Sequence, residues 1–326
     1  MPFDILRCGH AALICTDLDR ARHFYVDLLG LVVTEETADA LYLRGYEERV
    51  HHSLVLRRGE VPAVEHLAFR VADAGSLDRL DRFFAERGCP RRWIQAGDEA
   101  GQGPALRVQD PLGFPVEFYC EMDAAERLLQ RFDLYRGAHA MRIDHFNCHV
   151  PDCRAAFDHY RALGFRCSEY TVTDPPDEQL WAAWMYRKPN VHDIALMNGT
   201  GPRLHHVAFW VADTQSVLRA CDILAAAGAG DAIERGPGRH GLSNAFFVYL
   251  RDPDGHRIEL YTGDYWTGDP DWEPIRWSIN DPRRATFWGH WAPRSWFEES
   301  SRVLDLDGQP VPLHEGRLAH RPQTVT

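Results

Sequence analysis

The chain lacks any apolar run of the roughly 20 residues that a membrane-spanning helix needs. Its start, Met1-Pro2-Phe3-Asp4, also lacks the basic segment and apolar core of a secretion signal, so we expect a cytoplasmic protein. Acidic residues outnumber basic residues, 48 to 36. The formal net charge of -12 disfavours nucleic acid as a partner, because phosphate binding requires a basic surface.

The eight cysteines include no Cys-x-x-Cys pair. Scattered cysteines in a chain without a secretion signal are typical of reduced, buried thiols, which disfavours both a disulfide framework and a thiolate zinc site. The length of 326 residues exceeds one usual core, so we expect two domains, each with an interior of its own.

A single module is repeated four times along the chain. Each copy reads as a strand, a helix and then two or three strands, and the copies begin near Gly9, His66, His145 and His206. The turn sequences 110–113 (Asp-Pro-Leu-Gly) and 252–255 (Asp-Pro-Asp-Gly) occupy equivalent places in the two halves. One half is therefore a duplicate of the other, which predicts an α+β protein of four βαβββ modules in two domains.

The repeats divide the chain into predicted segments. Residues 1–121 form the N-terminal domain, and 142–263 form the C-terminal domain. The intervening residues 122–141 are predicted to form a linker helix, because their apolar residues have helical spacing. Residues 264–307 are rich in tryptophan and predict an ordered arm packed on the C-terminal domain or a neighbouring subunit. Residues 308–326 are predicted to be a flexible tail.

Three residues on three predicted strands of the second half are candidate metal ligands: His145, His206 and Glu259. Two histidines and one carboxylate form the facial triad that suits a divalent non-haem metal and leaves one coordination face open. We expect His206 and not His205 to be the ligand, because successive strand side chains point to opposite faces.

The first half supports that choice. The sequence His66-Leu67-Ala68-Phe69 repeats the pattern that begins at His206, and His10 and Glu117 stand where the second half has its other two candidates. A lone histidine in an apolar strand is more often structural than a ligand. Its repetition in the same order, twice in one chain, favours a functional origin.

Longer segments of the second half carry a family resemblance, above all Gly201-Pro202-Arg203-Leu204-His205-His206-Val207-Ala208-Phe209, with 184–193, 233–241 and 264–270. The chain resembles the extradiol ring-cleaving dioxygenases of the vicinal oxygen chelate superfamily, and among them the homoprotocatechuate (3,4-dihydroxyphenylacetate) 2,3-dioxygenases. The resemblance implies Fe(II), or Mn(II) as in some members, and insertion of both atoms of O2 into a catechol. It also implies a homotetramer.

The resemblance assigns roles to individual residues. It implies a carboxylate-bearing catechol as substrate, most concretely 3,4-dihydroxyphenylacetate, which would give 5-carboxymethyl-2-hydroxymuconate semialdehyde. The implied metal ligands are His145, His206 and Glu259; the implied catalytic residues are His192 (acid–base), Tyr249, Asn147 and His240; the implied substrate-binding residues are Trp184, Arg235, Arg283 and Arg284.

The resemblance implies that the N-terminal domain is free of metal. In our alignment of the two halves, His51 matches His192, Arg107 matches Tyr249, Ala12 matches Asn147 and Leu43 matches Trp184. A guanidinium repels a cation and pairs naturally with a carboxylate, here Glu117. The alternatives for His10, His66 and Glu117 are a second metal site and the remnant of one, and the pairing with Arg107 favours the remnant.

Other functions remain open at this stage. The same fold could serve another substituted catechol, a metal-dependent isomerisation of the glyoxalase or epimerase type, or ligand sequestration without catalysis. His192 together with Tyr249 and the loop around His240 favours oxygen chemistry.

Overall fold

The computed structural model describes residues 3–318, and its first half consists of two modules. The first module comprises β1 (Ile5–Cys15), α1 (Leu18–Arg22), β2 (Val32–Glu36), β3 (Ala40–Arg44) and β4 (Leu54–Arg58). A π-helical turn, His23–Leu28, extends α1. The second module comprises β5 (Ala63–Val71), α2 (Ala74–Glu86), β6 (Arg91–Ile94), β7 (Ala105–Gln109) and β8 (Pro115–Tyr119).

The second half repeats this arrangement and adds an arm. The third module comprises β9 (Arg142–Val150), α3 (Cys153–Ala162), β10 (Arg166–Val172), β11 (Leu180–Tyr186) and β12 (Ile194–Asn198). The fourth comprises β13 (Arg203–Trp210), α4 (Thr214–Ala226), β14 (Ile233–Arg239), β15 (Phe246–Arg251) and β16 (Arg257–Thr262). The arm contains β17 (Ile275–Ser278), α5 (Arg294–Glu298) and β18 (Ser301–Arg302).

Each half forms one mixed sheet in which the first strands of its two modules are central neighbours. The first sheet has the order β2-β3-β4-β1-β5-β8-β7-β6, with β1 antiparallel to β5. The second has the order β14-β15-β16-β13-β9-β12-β11-β10-β17, with β13 antiparallel to β9 and β18 paired to β13. This topology confirms the predicted α+β fold of four modules. It brings β9, β13 and β16, which carry the candidate ligands, side by side.

Side-chain alternation gives each sheet an apolar face and a polar face. In β9, Phe146, Cys148 and Val150 belong to the apolar core, whereas His145 and Asn147 lie on the opposite face. One continuous apolar cluster includes residues from both halves, so the two predicted domains pack against each other through buried side chains. The ring of Phe69 in β5, for example, lies 5.8 Å from that of Phe146.

The helices begin where the sequence offers an aspartate. The side chains of Asp73, Asp152 and Asp213 each accept a hydrogen bond from a backbone N–H in the first turn of α2, α3 or α4. Such caps satisfy donors that have no partner within the helix. They fix the start of the segment that covers the apolar face of each sheet.

The predicted linker helix is wrong. All of residues 122–141 are described, and they contain no α-helix, only the 3₁₀ turn Phe132–Leu134. Backbone groups that a helix would pair internally bind other segments instead. The N–H of Ala125 donates to the carbonyl of Arg49, and the carbonyl of Glu126 accepts from Arg44. Tertiary contacts therefore override the local helical spacing.

The predicted flexible tail is also wrong over its described part. The N–H of Val311 donates to the carbonyl of Val303, and His314 pairs with Gly201 on the C-terminal domain. Residues 319–326 of that prediction lie outside the described residues. The arm before the tail joins the second sheet through β17, which pairs with β10. Among residues 3–318, no helix has the length and apolar character needed to cross a membrane.

Candidate active site

Three side chains on adjacent central strands of the second sheet converge to form what we call the C-terminal triplet, His145, His206 and Glu259. Nε2 of His145 lies 3.2 Å from Nε2 of His206, and each nitrogen lies 3.1 Å from Oε2 of Glu259. Equal spacings of this size match adjacent corners of an octahedron about 2.2 Å from its centre, which fits a facial triad around a divalent ion. All three side chains are buried.

A β-bulge determines how the adjacent histidines of β13 are placed. The pairing of β13 with β9 shifts register between Leu204 and His206. A bulge interrupts strict alternation, so both imidazoles lie on the cavity side, with ring centroids 4.9 Å apart. Only His206 contacts His145 and Glu259. The ring of His205 is directed to the arm instead, with its Nε2 2.7 Å from the carbonyl oxygen of Trp296.

Hydrogen bonds to the triplet side chains orient them and keep Glu259 ionised. Nδ1 of His145 lies 2.8 Å from Oδ2 of Asp144, whose other oxygen accepts from Asn190 at 3.0 Å. Burial opposes ionisation of Glu259, but its hydrogen bonds with His145 and His206 hold the pKa of this carboxyl well below its usual value. A carboxylate that stays ionised while buried is a suitable ligand for a cation.

A cavity opens in front of the triplet. Its wall combines aromatic rings with a small number of polar groups, as is typical of small-molecule sites. Besides the triplet, the lining residues include Asn147, Trp181, Trp184, His192, Arg235, His240, Ser243, Tyr249, Tyr261, Arg284 and Trp296. Of the predicted pocket residues, only Arg283 is missing from this wall.

His192 lies directly beside a candidate ligand. Its ring centroid is 3.7 Å from that of His145, and its backbone carbonyl accepts a 2.6 Å hydrogen bond from the Lys188 ammonium. Burial, with the charges of His145 and Lys188, lowers the pKa of His192 well below its usual value. The imidazole is therefore neutral and faces the cavity.

Tyr249, His240 and Asn147 line the cavity around the triplet. The Tyr249 hydroxyl lies 3.0 Å from Nε2 of His240, whose Nδ1 lies 2.5 Å from the carbonyl oxygen of Ala285. Because a carbonyl only accepts, Nδ1 carries the proton and Nε2 accepts from the hydroxyl. The Oδ1 atom of Asn147 is buried and has no protein partner among the described residues.

Two buried arginines face the cavity without a countercharge. Arg235 and Arg284 are 2% and 4% exposed, and burial lowers the pKa of each to about 10. Among residues 3–318, neither forms an ion pair, and Nε of both and Nη1 of Arg235 have no hydrogen-bond partner. The predicted place of Arg283 in the substrate pocket is wrong. Its side chain is 67% exposed, outside the cavity, and pairs with Asp281 at 2.9 Å.

The equivalent residues of the first half, here called the N-terminal triplet, are also close together but less regular. Nε2 of His10 lies 2.9 Å from Nε2 of His66, and these nitrogens lie 3.6 and 3.8 Å from Oε1 of Glu117. Both oxygens of Glu117 are engaged. Oε2 accepts from Arg107 at 2.6 and 2.8 Å, and Oε1 accepts from Gln102 at 2.8 Å.

Two alignments between the halves are wrong by one residue. Strand β4 pairs with β1 as β12 pairs with β9, which makes Leu54 the counterpart of Ile194 and His52 that of His192. His52 has its ring 4.7 Å from that of His10. By the same reasoning from β3 and β11, Tyr42 and not Leu43 is the counterpart of Trp184.

Sequence reasoning missed several residues of the site. Asp144 contacts the triplet residue His145, and the Trp296 carbonyl contacts His205, the neighbour of His206. Trp181 and Ser243 line the cavity. Asp144 could have been found from its position beside His145. Trp296 gave no local signal beyond its place among the aromatics of the arm.

The paired modules and the triplet are typical of the vicinal oxygen chelate class, and comparison with known proteins agrees. Residues 142–260 match the family model of the Glyoxalase/Bleomycin resistance protein/Dioxygenase superfamily, and 64–123 match that of the Catechol 2,3-dioxygenase-like N-terminal domain. The manganese-dependent 2,3-dihydroxybiphenyl 1,2-dioxygenase of Geobacillus genomosp. 3 is 34% identical over 88% of this chain and 95% of its own. A metapyrocatechase of Pseudomonas sp. (strain CF600) is 30% identical over 87% of this chain and 94% of its own.

A solved structure is similar over almost the whole length. Homoprotocatechuate 2,3-dioxygenase from Brevibacterium fuscum, in complex with 3,4-dihydroxyphenylacetate, is 48% identical with a TM-score of 0.93, covering 95% of this chain and 97% of that chain. The chain belongs to the extradiol ring-cleaving catechol dioxygenases of this superfamily.

Proposed function

We propose that the enzyme cleaves a catechol with a short carboxylate side chain, most concretely 3,4-dihydroxyphenylacetate, to 5-carboxymethyl-2-hydroxymuconate semialdehyde. The observation that carries this proposal is the pair of buried guanidinium groups of Arg235 and Arg284 in the cavity wall, neither of which has an ion-pair partner among residues 3–318. A buried charge without a partner is costly, and a substrate carboxylate would supply the missing partner. The similar enzyme from Brevibacterium fuscum binds this acid.

The C-terminal triplet would hold the metal, for which we propose Fe(II), with Mn(II) as the alternative that one relative uses. When bound, such an ion lowers the pKa of a catechol hydroxyl and brings the diol and O2 together in a fixed orientation. Two neutral imidazoles and one carboxylate leave one positive charge on the site, which an anionic catecholate would balance.

The surrounding side chains would manage protons and orientation. His192 is neutral and lies beside His145, so its imidazole would accept a catechol proton and return it later in the reaction. The Tyr249 hydroxyl, which donates to His240, and the free oxygen of Asn147 would contact the reacting oxygens. Trp184 would pack against the ring.

The enzyme is further proposed to act as a homotetramer. Trp266, Phe287 and Trp288 in the arm are half exposed or more, and large exposed aromatic side chains fit contacts between subunits.

The arginine anchor is tested by comparing two substrates in three variants. We would measure kcat/KM for 3,4-dihydroxyphenylacetate and for uncharged 4-methylcatechol in Arg235→Gln, Arg284→Gln and the wild type. Loss of one charged hydrogen bond is worth about 1.5–3 kcal/mol, so we expect kcat/KM for the acid to fall roughly 10- to 150-fold. The neutral catechol should be little affected.

Arg283→Gln is the matched control, because Arg283 is adjacent in sequence but exposed and paired with Asp281. It should leave both substrates unchanged. Equal losses on acid and neutral catechol in the Arg235 and Arg284 variants would mean that these residues do not bind a carboxylate.

A further inference from the structure

Two adjacent histidines and one carbonyl form a continuous hydrogen-bonded chain behind the C-terminal triplet. Nδ1 of His206 lies 2.6 Å from Nδ1 of His205, and Nε2 of His205 lies 2.7 Å from the carbonyl oxygen of Trp296. Both imidazoles are buried, with exposures of 1% and 0%. This contact is possible because the bulge in β13 turns both rings to one side of the sheet.

The partners in this chain determine where the protons lie. A carbonyl oxygen can only accept, so Nε2 of His205 must carry a hydrogen. The Nδ1 atom of a neutral His205 is then an acceptor, and Nδ1 of His206 must donate to it. This leaves Nε2 of His206 with a free lone pair at the atom that points to His145 and Glu259.

We propose that His205 is a positioning residue. Its hydrogen bond to the Trp296 carbonyl makes its Nδ1 an acceptor, and this acceptor selects the tautomer of His206 whose Nε2 can bind metal. We call this chain of hydrogen bonds the relay. The inference rests on the proposed metal site. Partners behind a ligating histidine fix its tautomer and orientation and raise its basicity. Here the outer partner is a neutral imidazole, whereas for His145 it is the carboxylate of Asp144.

The same contacts connect the C-terminal arm to the proposed metal site. Trp296 belongs to α5, and the guanidinium of Arg257 donates to the carbonyls of Ser295 and Glu299 at the two sides of this residue, at 3.1 and 3.0 Å. Arg257 is itself 1% exposed and paired with Glu234 at 2.5 Å. The position of the Trp296 carbonyl is therefore fixed, and docking of α5 becomes part of ligand orientation.

No such chain stands behind His66 in the first half, although His51 and His52 form a similar contact elsewhere, with their Nδ1 atoms 3.0 Å apart. Glu65 stands where the second half has His205, and its carboxylate pairs with Arg57 at 2.7 Å. Nδ1 of His66, the counterpart of His206, has no hydrogen-bond partner among residues 3–318. Only in the half that we propose to bind metal does such a chain end on a triplet histidine, as far as the described residues show.

The relay is tested by the equilibrium affinity of the metal-free enzyme for Mn²⁺, measured by competition with a chelator. His205→Leu removes the acceptor and should weaken Mn²⁺ binding about 10- to 100-fold, the usual effect of losing an outer partner. His205→Gln retains an acceptor oxygen and should bind close to wild type. His149→Leu is the matched control, because its ring packs 5.0 Å from that of His205 but its Nδ1 contacts Ser300.

A second measurement uses the wild-type enzyme alone. With Co²⁺ in the site, we expect two paramagnetically shifted, exchangeable imidazole N–H resonances, one each from His145 and His206, both protected from solvent exchange. A wild-type spectrum without the His206 resonance would overturn the relay even where a variant fails to fold. So would a His205→Leu enzyme that binds Mn²⁺ as tightly as wild type, or equal weakening in His149→Leu. A wild-type enzyme that does not bind Mn²⁺ would instead reject the proposed metal site.

Discussion

The N-terminal and C-terminal triplets have the same residue types on equivalent strands, yet their surroundings differ. In the C-terminal triplet the three ligand atoms are evenly spaced at 3.1–3.2 Å, and in the N-terminal triplet the spacings range from 2.9 to 3.8 Å. Histidine nitrogens behind the C-terminal triplet have partners, whereas Nδ1 of His10 and of His66 have none among the described residues. The two triplets therefore share ligand types but differ in ligand spacing and in the partners of their histidines.

The countercharge of the buried carboxylate also differs between the triplets. Strand pairing places Arg107 opposite Glu117 in the first sheet and Tyr249 opposite Glu259 in the second. The guanidinium compensates Glu117 within the protein, so that carboxylate needs no metal. A tyrosine cannot do so, which leaves Glu259 available to a cation. The residue paired with the carboxylate is therefore a further difference between the two sites.

The largest expected effect concerns metal content. We expect one equivalent of tightly bound metal per wild-type chain, none in His206→Ala and one in His66→Ala, because Arg107 and Gln102 already bind Glu117. Elemental analysis of protein loaded with Fe(II) without oxygen and then desalted measures this. Two equivalents in the wild type, falling to one in His66→Ala, would show that the N-terminal triplet also binds metal.

The next effect concerns the histidine beside each triplet. His192→Phe should keep its metal and lose about 10²- to 10⁴-fold in kcat, the usual contribution of a positioned acid–base group. His52→Phe, at the equivalent place in the first half, should leave kcat unchanged. Steady-state kinetics with 3,4-dihydroxyphenylacetate make the comparison. Undiminished turnover in His192→Phe would remove this residue from the mechanism.

The smallest effect concerns stability. Arg107→Lys keeps the charge but loses the forked contact with Glu117, and we expect a loss of about 1.5–3 kcal/mol in the free energy of unfolding. Urea denaturation with and without Mn²⁺ measures the change, and the metal should not restore it. Arg283→Lys, which alters an exposed pair, should be indistinguishable from wild type. Full recovery on adding metal would mean that a cation can replace Arg107.

Several features could be predicted because each depends on a repeated local pattern. The module order, the triplets and the pairing of Arg107 with Glu117 all follow from strand periodicity and duplication. Two register-dependent assignments did not hold. The matches of His51 and Leu43 were wrong by one position, because a shift of one residue moves a strand side chain to the opposite face and loop lengths differ between the halves.

The α+β fold of four modules, the extradiol class and the three residues of the proposed metal site could all be predicted from the sequence. These depend on strand periodicity and on motifs that stay recognisable in one dimension. Three other features became clear only from the folded chain: Arg284 and not Arg283 faces the cavity, residues 122–141 form no helix, and the Trp296 carbonyl contacts His205. Each of these depends on a contact between segments far apart in the chain, and neither local propensity nor spacing encodes such contacts.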